Sequence, residues 1–207
     1  MRSIAFLSQK GGSGKTTLAL HIAVAAQRAG ESVVLIDTDP QSSALAWAQA
    51  RKEEHPAVQK SNASGLAKLL EKARSEDRTL AVIDTPPHAT PGVDLIAQAA
   101  DFLVIPCRPS VLDLAAITSS VHLARASGKP AIFVLNACDP RAPEIDQSKS
   151  LLARHGFPVA PVDVGHRRAF SRALSTGSAV TEFEPRGKGA EEITELWEWL
   201  KQQMEKD

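Results

Sequence analysis

The sequence predicts an α/β fold with a doubly wound, mostly parallel sheet flanked by helices. Short apolar runs recur along the 207 residues, and helix-like stretches separate them. The runs are continuously apolar, which is typical of strands buried on both faces. Helical crossovers between such strands imply parallel neighbours. The predicted strands cover residues 4–8, 33–36, 80–83, 102–105 and 131–135, with a weaker strand at 157–162.

The stretches between the strands contain clear helix signals. Residues 17–26 are small and apolar almost all round, so we expect a buried helix that ends at Gly30. Ser110 and Asp113 have the spacing of a capping box before a helix over 111–126. Asp113 can be a structural carboxylate at that helix start or lie beside a bound ligand, and both interpretations stay open. A further helix is predicted over 66–74, and loops are predicted over 53–64 and 139–144.

Length and composition favour one cytoplasmic domain, residues 1–207. The chain has 24 basic and 24 acidic residues, so any surface that binds nucleic acid must be a local patch. The longest apolar runs are strand-sized, and no leader pattern precedes the first of them. Cys107 and Cys138 lack C-x-x-C spacing, which favours buried, reduced thiols.

Residues 10–17, with the sequence Lys-Gly-Gly-Ser-Gly-Lys-Thr-Thr, are typical of a phosphate-binding loop. Glycines let backbone N–H groups turn around a polyphosphate, Lys15 supplies charge to the outer phosphates, and Thr16 offers a hydroxyl to Mg²⁺. The helix that follows points its N-terminus at the anion. The standard loop has glycine where Gln9 stands here, and a second lysine, Lys10, follows it.

Carboxylates come directly after two of the predicted strands. Asp37 and Asp39 follow the second strand, and Asp84 ends the third. Burying these groups is costly unless a cation compensates them, and a magnesium–polyphosphate complex provides that cation. The carboxyl ends of parallel strands share one sheet edge, so we expect the nucleotide and the metal there.

These motifs together resemble the deviant Walker A ATPases of the ParA/MinD superfamily, and most of all the small plasmid-type ParA partition proteins. The resemblance rests on the loop at 10–17, on Ile-Asp-Thr-Asp-Pro-Gln at 36–41 and on Val-Ile-Asp-Thr-Pro-Pro at 82–87, and it runs from residue 1 to about residue 190. It implies a P-loop ATPase that hydrolyses ATP with Mg²⁺ and associates with itself, as an ATP-sandwich dimer or a polymer. The implied function is the segregation of plasmid or chromosomal DNA.

The resemblance also assigns roles to individual residues. Lys10 would cross to the ATP of a second subunit, Lys15 would hold the phosphates in its own subunit, and Asp39 would orient the hydrolytic water. Thr16 would bind Mg²⁺, with Asp37 and Asp84 supporting the metal site. The expected nucleotide contacts are Gly11, Gly12, Ser13, Gly14, Lys15, Thr16, Thr17 and Asn136. Thr17 would contact the α-phosphate and Asn136 the adenine, although asparagine is also an ordinary turn residue.

A local excess of basic residues lies between residues 154 and 189, where six basic residues stand against three acidic ones. Such a run is often only a solvated helix face. The resemblance places DNA binding without sequence preference here, at Arg167, Arg168, Arg172, Arg186 and Lys188. It also implies a centromere-binding ParB-type partner that stimulates slow hydrolysis, and association with the nucleoid.

Two rival functions remain at this point. A MinD-like membrane-cycling ATPase would need a basic amphipathic C-terminal helix, but residues 190–207 carry six acidic residues and two lysines, a net charge of −4. We therefore expect no membrane binding and expect Trp197 and Trp199 to pack on the sheet. An ATP-dependent metabolic ligase of the same fold would leave Lys10 without a purpose. None of the histidines has a metal-binding pattern; they are His21, His55, His88, His122, His155 and His166.

Overall fold

The computed structural model describes residues 1–87 and 91–206, where strands and helices alternate; His88 and Asp207 lie outside the described residues. The strands are β1 (Arg2–Phe6), β2 (Val33–Asp37), β3 (Ala57–Lys60), β4 (Leu80–Asp84), β5 (Phe102–Cys107), β6 (Ala131–Cys138) and β7 (Val164–Gly165). The helices are α1 (Lys15–Arg28), α2 (Ser43–Ala50), α3 (Ala63–Ser75), α4 (Val93–Ala99), α5 (Val111–Ser127), α6 (Glu144–Ala153), α7 (Arg168–Ser175), α8 (Val180–Phe183) and α9 (Lys188–Lys206).

The strands form one seven-stranded sheet in the order β3-β2-β4-β1-β5-β6-β7, and every pairing between them is parallel. Each face of this sheet is covered by helices. Ile4 and Phe6 pack into the core that includes residues of α1 and α9, whereas Ala5 and Leu7 pack into the core with α3, α4 and α5. This alternation of neighbouring residues between two apolar cores explains the continuously apolar strands. The predicted fold class is confirmed.

Two of the predictions about strands and loops were wrong. Residues 53–64, predicted as a loop, contain β3 and the start of α3. β3 is an edge strand that pairs with β2 alone, and its four residues are half-buried or exposed, so the sequence shows no apolar run there. Residues 157–162 make only one bridge, between Phe133 and Val159, and the last strand is β7. Pro158 and Pro161 lack the N–H groups that a ladder needs.

The predicted helix starts and ends are largely confirmed. α1 is buried along most of its length, and Gly30 follows it with a φ of 96°. At the start of α5, the Ser110 hydroxyl accepts the Asp113 N–H at 3.2 Å, as the capping-box spacing predicts. α3 begins earlier than predicted, because the Asn62 side chain accepts the Gly65 N–H at 2.8 Å and caps it.

The last helix and the two cysteines are packed as predicted. Trp197 on α9 is buried in the core, and Trp199 packs against that core from a half-buried position. Cys107 and Cys138 are buried free thiols, and burial raises the pKa of each to about 12. Among the described residues, no helix combines the length and the apolar character needed to cross a membrane.

His21 joins the helix after the phosphate loop to α7 and α8. Its imidazole is fully buried, and Nδ1 accepts the N–H of Val180 at 3.0 Å. The edge of the ring meets Phe170 of α7, with the ring centroids 5.0 Å apart. Burial lowers the pKa of His21 to about 3, so the folded protein holds this side chain neutral.

This burial predicts a loss of stability at acid pH. Between about pH 6.5 and 3, His21 is protonated in the unfolded chain but neutral in the folded protein. The free energy of unfolding therefore falls as the pH falls through this range. From pH 7.5 to 5, His21 should account for about 2 kcal/mol of that loss. His21→Asn keeps an acceptor for Val180 and removes the titration. Urea unfolding at both pH values should show a loss smaller by that amount in the variant, and equal losses would contradict the assignment.

Candidate nucleotide-binding site

The phosphate loop lies between β1 and α1 and has backbone conformations that only glycine adopts easily. Gly12 and Gly14 have φ angles of 75° and 98°. A Cβ atom on Gly14 would lie 1.9 Å from Nδ2 of Asn136. Gly14 therefore has no space for a side chain, and its neighbour Ser13 is buried. The loop thus has the tight turn and the close backbone approach that phosphate binding requires.

Asn136 connects β6 to this loop. Its Nδ2 donates to the carbonyl oxygen of Ser13 at 2.8 Å, and the side chain is almost fully buried. The residue also lines a cavity of about 530 Å³ that opens beside the loop, a volume that suits a nucleoside. The other residues around the cavity include Gly12, Gly14, Thr17, Arg108, His166, Arg167, Arg168 and Phe170. The adenine contact of Asn136 stays a prediction, and its contact with the loop is an addition from the structure.

Lys15 is the first residue of α1, and 6% of its surface is exposed. Burial lowers the pKa of its ammonium group, and the nearby carboxylates of Asp84 and Asp39 counteract that effect. The sheet edge therefore brings Lys15, Asp84 and Asp39 together. A buried ammonium at the first turn of the helix is placed to meet the outer phosphates of a nucleotide.

Asp84 at the end of β4 is a carboxylate without adequate compensation. Its pKa is raised to about 7, chiefly by burial; the Thr16 hydroxyl and Lys15 oppose this rise, and the nearby Asp37 and Asp39 add to it. Neither carboxylate oxygen makes a hydrogen bond of normal geometry with the described residues. An orphaned carboxylate next to a hydroxyl fits Mg²⁺, which prefers oxygen ligands. Among the described residues, no three His, Cys, Asp or Glu side chains form a metal cage, so the remaining oxygens would come from phosphate and water.

The structure gives Asp37 a role that the sequence did not reveal. Its Oδ1 accepts the N–H of Asp39 at 3.0 Å, and its Oδ2 accepts the N–H of Leu45, in the first turn of α2, at 3.1 Å. Asp37 thereby fixes the turn that carries Asp39 and satisfies an orphan donor of α2. Asp39 is nearly buried and accepts the N–H of Gln41 at 2.9 Å. Asp37 lies at the predicted edge, but its support of the metal stays a prediction.

Lys10 at the head of the loop is paired with a carboxylate of its own chain. Its Nζ lies 2.9 Å from Oδ1 of Asp113, and 36% of the Lys10 side chain is exposed against 10% of Asp113. The Ser110 hydroxyl makes a short hydrogen bond to the other oxygen of Asp113. The helix-start interpretation of Asp113 is therefore confirmed, and its position beside a bound ligand stays a prediction. The capping-box spacing was the only sequence signal for this contact.

The predicted basic residues fall into two groups. Arg168 and Arg172 on α7 and Arg186 and Lys188 near the start of α9 are exposed. Arg167 instead donates to Glu192 of α9, from Nε at 3.1 Å and from Nη2 at 2.5 Å. This pairing raises the pKa of Arg167 and offsets its charge. The DNA-binding role of all five residues stays a prediction, and nothing in the local sequence signalled the partner of Arg167.

The state of Asp84 leads to a prediction about stability. Its pKa of about 7 in the folded protein lies above the ordinary value, so the free energy of unfolding falls as the pH rises from about 4 to 7. Asp84→Asn should stabilise the nucleotide-free protein by about 4 kcal/mol at pH 8, because no uncompensated charge remains buried. The same variant should lose the stabilisation that Mg²⁺ adds with nucleotide.

Urea unfolding with and without Mg²⁺ and nucleotide measures both effects. Asp77→Asn, which removes an exposed carboxylate, is the matched control and should change neither quantity. A less stable nucleotide-free Asp84→Asn protein would contradict this description of the site.

Comparison with known proteins gives relatives that match nearly the whole chain. The chain is 34% identical over 212 residues to the maintenance of carboxysome distribution protein A of Gloeobacter kilaueensis, covering 100% of this chain and 95% of that protein. It is 26% identical over 235 residues to the chromosome-partitioning ATPase Soj of Thermus thermophilus, covering 96% of this chain and 94% of that protein.

Solved structures and a family match agree with the fold. The septum site-determining protein MinD of Pyrococcus horikoshii OT3, complexed with Mg-ADP, has a TM-score of 0.78 at 16% identity, covering 96% of this chain and 95% of that chain. At this identity the likeness shows the fold, which is that of P-loop NTPases. Residues 4–205 match the family described as the CobQ/CobB/MinD/ParA nucleotide binding domain. The predicted relation to the ParA/MinD superfamily is thus confirmed, and the chain belongs to this family of nucleotide-binding domains.

Proposed function

We propose that this protein is an ATPase that positions a large cargo in the cell. In this proposal Mg-ATP joins two copies, the joined copies bind DNA without sequence preference, and slow hydrolysis releases them. The observation that carries the proposal is Lys10, a second lysine on the phosphate loop that does not enter the buried edge occupied by Lys15. A loop that served only its own nucleotide would not require it.

Hydrolysis needs charge and a positioned water more than covalent chemistry. When bound, Mg²⁺ neutralises the outer phosphates, and Thr16 and Asp84 are the side chains that would hold it. Lys15 supplies a second positive charge to the phosphates, from a buried position that little water reaches. Asp39, fixed by the turn at Asp37, orients the water that attacks the outer phosphate.

Lys10 from the second copy completes this set of cations. The developing charge on the phosphoryl group lacks one stabilising cation until that copy arrives, so hydrolysis depends on association. Turnover is accordingly slow, and ATP acts as a switch between separate and joined copies. The predicted partner protein would speed hydrolysis by improving the alignment of this site.

DNA binding in this proposal uses the exposed basic residues of α7 and of the start of α9. Arg168 and Arg172 are exposed on one helix, and Arg186 and Lys188 follow near α9. Joining two copies doubles the number of phosphate contacts, and the affinity for DNA rises steeply with that number. DNA binding therefore depends on bound ATP, and it associates the ATP-bound protein with the nucleoid.

The rival membrane-cycling function finds less support in α9. The apolar face of this helix, including Ile193, Trp197 and Leu200, is buried in the core and is not free to enter a bilayer. The outer face is acidic, and anionic lipid would repel it. We therefore propose that the ATP-bound protein binds to DNA and not to a membrane.

Two cargoes are supported. A plasmid or chromosome with a ParB-type centromere-binding partner follows from the motifs and from relatives named for chromosome partitioning. A protein body follows from the 34% identity, over the whole chain, to a protein named for carboxysome distribution. Deleting the gene in its source organism distinguishes them: loss of a replicon from daughter cells supports the first, and clustered protein bodies with stable replicons support the second.

The two lysines of the loop predict different losses. Lys15→Ala should abolish nucleotide binding, because the outer phosphates lose their cation within the subunit. Lys10→Ala should bind ATP nearly as well as the wild type but lose ATP-dependent association and hydrolysis together. Calorimetry measures the binding, and analytical ultracentrifugation with a slowly hydrolysed ATP analogue measures the association.

Each outcome has a clear opposite. Full ATP affinity in Lys15→Ala would exclude the phosphate-loop assignment. A Lys10→Ala protein that still associates with ATP, or a wild type that stays monomeric with Mg-ATP, would favour a metabolic ligase.

The exposed basic residues predict a salt-dependent interaction with DNA. The double variant Arg168→Ala, Arg172→Ala should bind duplexes of unrelated sequence more weakly, and by the same factor for each sequence. The slope of log affinity against log salt concentration should also decrease, by the equivalent of about two phosphate contacts per subunit. Lys68→Ala with Arg74→Ala, which removes exposed charges from α3, is the matched control. Fluorescence anisotropy with Mg-ATP measures both variants, and a curve identical to that of the wild type would move the DNA interface elsewhere.

A further inference from the structure

The side chain that the proposed function sends to a second copy is restrained within its own chain. Lys10 Nζ lies 2.9 Å from Asp113 Oδ1, and among the described residues no other carboxylate pairs with Lys10. Asp113 is the less exposed partner, with 10% of its side chain accessible. The Lys10 side chain is about one-third exposed and can leave, whereas the more buried carboxylate stays behind.

Asp113 is held in place by two hydrogen bonds with the Ser110 hydroxyl. The Ser110 hydroxyl hydrogen-bonds to its second oxygen, and its own backbone N–H donates to the same hydroxyl at 3.2 Å. The carboxylate also stands in the first turn of α5, where the helix dipole stabilises negative charge. Asp113 is therefore a fixed, stabilised acceptor that tolerates the departure of its partner.

The backbone beside Lys10 is fixed by the same helix. The N–H of Gln9 donates to Oγ of Ser120 on α5 at 3.1 Å, and the N–H of Lys10 donates to Oγ of Ser8 at 3.3 Å. The head of the loop therefore stays in place when the side chain moves. Leaving Asp113 requires rotation about side-chain bonds of Lys10 alone.

We propose that Asp113 is a positioning residue that holds Lys10 in its own subunit until the phosphates of a second copy replace the carboxylate. This proposal rests on the proposed function, in which Lys10 acts across two copies. A polyphosphate carries more negative charge than one carboxylate, so the exchange is favourable only when the second copy carries nucleotide. Asp113 thereby opposes association of nucleotide-free copies and sets the protein concentration at which ATP joins them.

Asp113→Asn tests this role, because asparagine keeps an oxygen for the Ser110 hydroxyl and loses the charge. Asp163→Asn is the matched control, since it removes the carboxylate from a second, half-buried Lys–Asp pair among the described residues. In that pair Asp163 lies 2.7 Å from Lys149, away from the loop. With Mg²⁺ and a slowly hydrolysed ATP analogue, Asp113→Asn should associate with a dissociation constant about fivefold lower than that of the wild type, because the competing ion pair is gone. The control should match the wild type.

A second measurement examines the ion pair in the monomer without nucleotide. Reductive methylation with limiting reagent, read by mass spectrometry, reports the reactivity of each lysine amine, and exposed Lys68 is the internal reference. Lys10 should react about threefold faster in Asp113→Asn than in the wild type, and at the wild-type rate in Asp163→Asn. A change in folding alone would alter other lysines as well.

The two measurements separate this inference from the proposed function. If Lys10 reacts faster but no protein associates with the ATP analogue, the restraint stands and the two-copy function is wrong. If the wild type associates and Asp113→Asn associates equally or more weakly, or if its Lys10 reacts at the wild-type rate, Asp113 does not restrain Lys10.

Discussion

The candidate site depends on the parallel register of three neighbouring strands, β2, β4 and β1. β1 pairs with β4 so that Phe6 faces Asp84, and β2 pairs with β4 so that Asp37 faces Asp84. Two carboxylates thereby end at the same level, beside the loop that leaves β1. The register is held by continuous apolar packing on both faces of the sheet, so a slip by one residue would disrupt both cores as well as the site.

This arrangement places like charges together in a region with little water. Two backbone N–H groups donate to the carboxylate of Asp37, and one donates to that of Asp39. The carboxylate of Asp84 accepts no hydrogen bond of normal geometry from the described residues. Lys15, whose burial is itself unfavourable for a cation, offsets only part of this repulsion. The nucleotide-free site thus keeps a negative charge that its own cations do not offset, and Mg²⁺ bound with a polyphosphate would balance it.

The sequence predicted the sheet, the loop and the positions of the carboxylates, because each depends on a local pattern. Apolar runs identified the five central strands, and the glycine-lysine-threonine segment identified the loop. Contacts between distant residues were not predictable in this way: Glu192 reaches Arg167, and Asn136 packs against Gly14 from another strand. β3 was missed because an edge strand needs no apolar run.

The central claim is that Lys10 of one copy completes the active site of the other, and mixing two inactive variants tests it most directly. A Lys10→Ala subunit keeps its own Asp39, and an Asp39→Ala subunit keeps its own Lys10. If Lys10 acts across copies, a mixed pair contains one complete site, so ATP hydrolysis should appear on mixing although each variant alone is inactive. If the rate of the mixture equals the sum of the two separate rates at protein concentrations that join the copies, Lys10 acts within its own subunit and the account is contradicted.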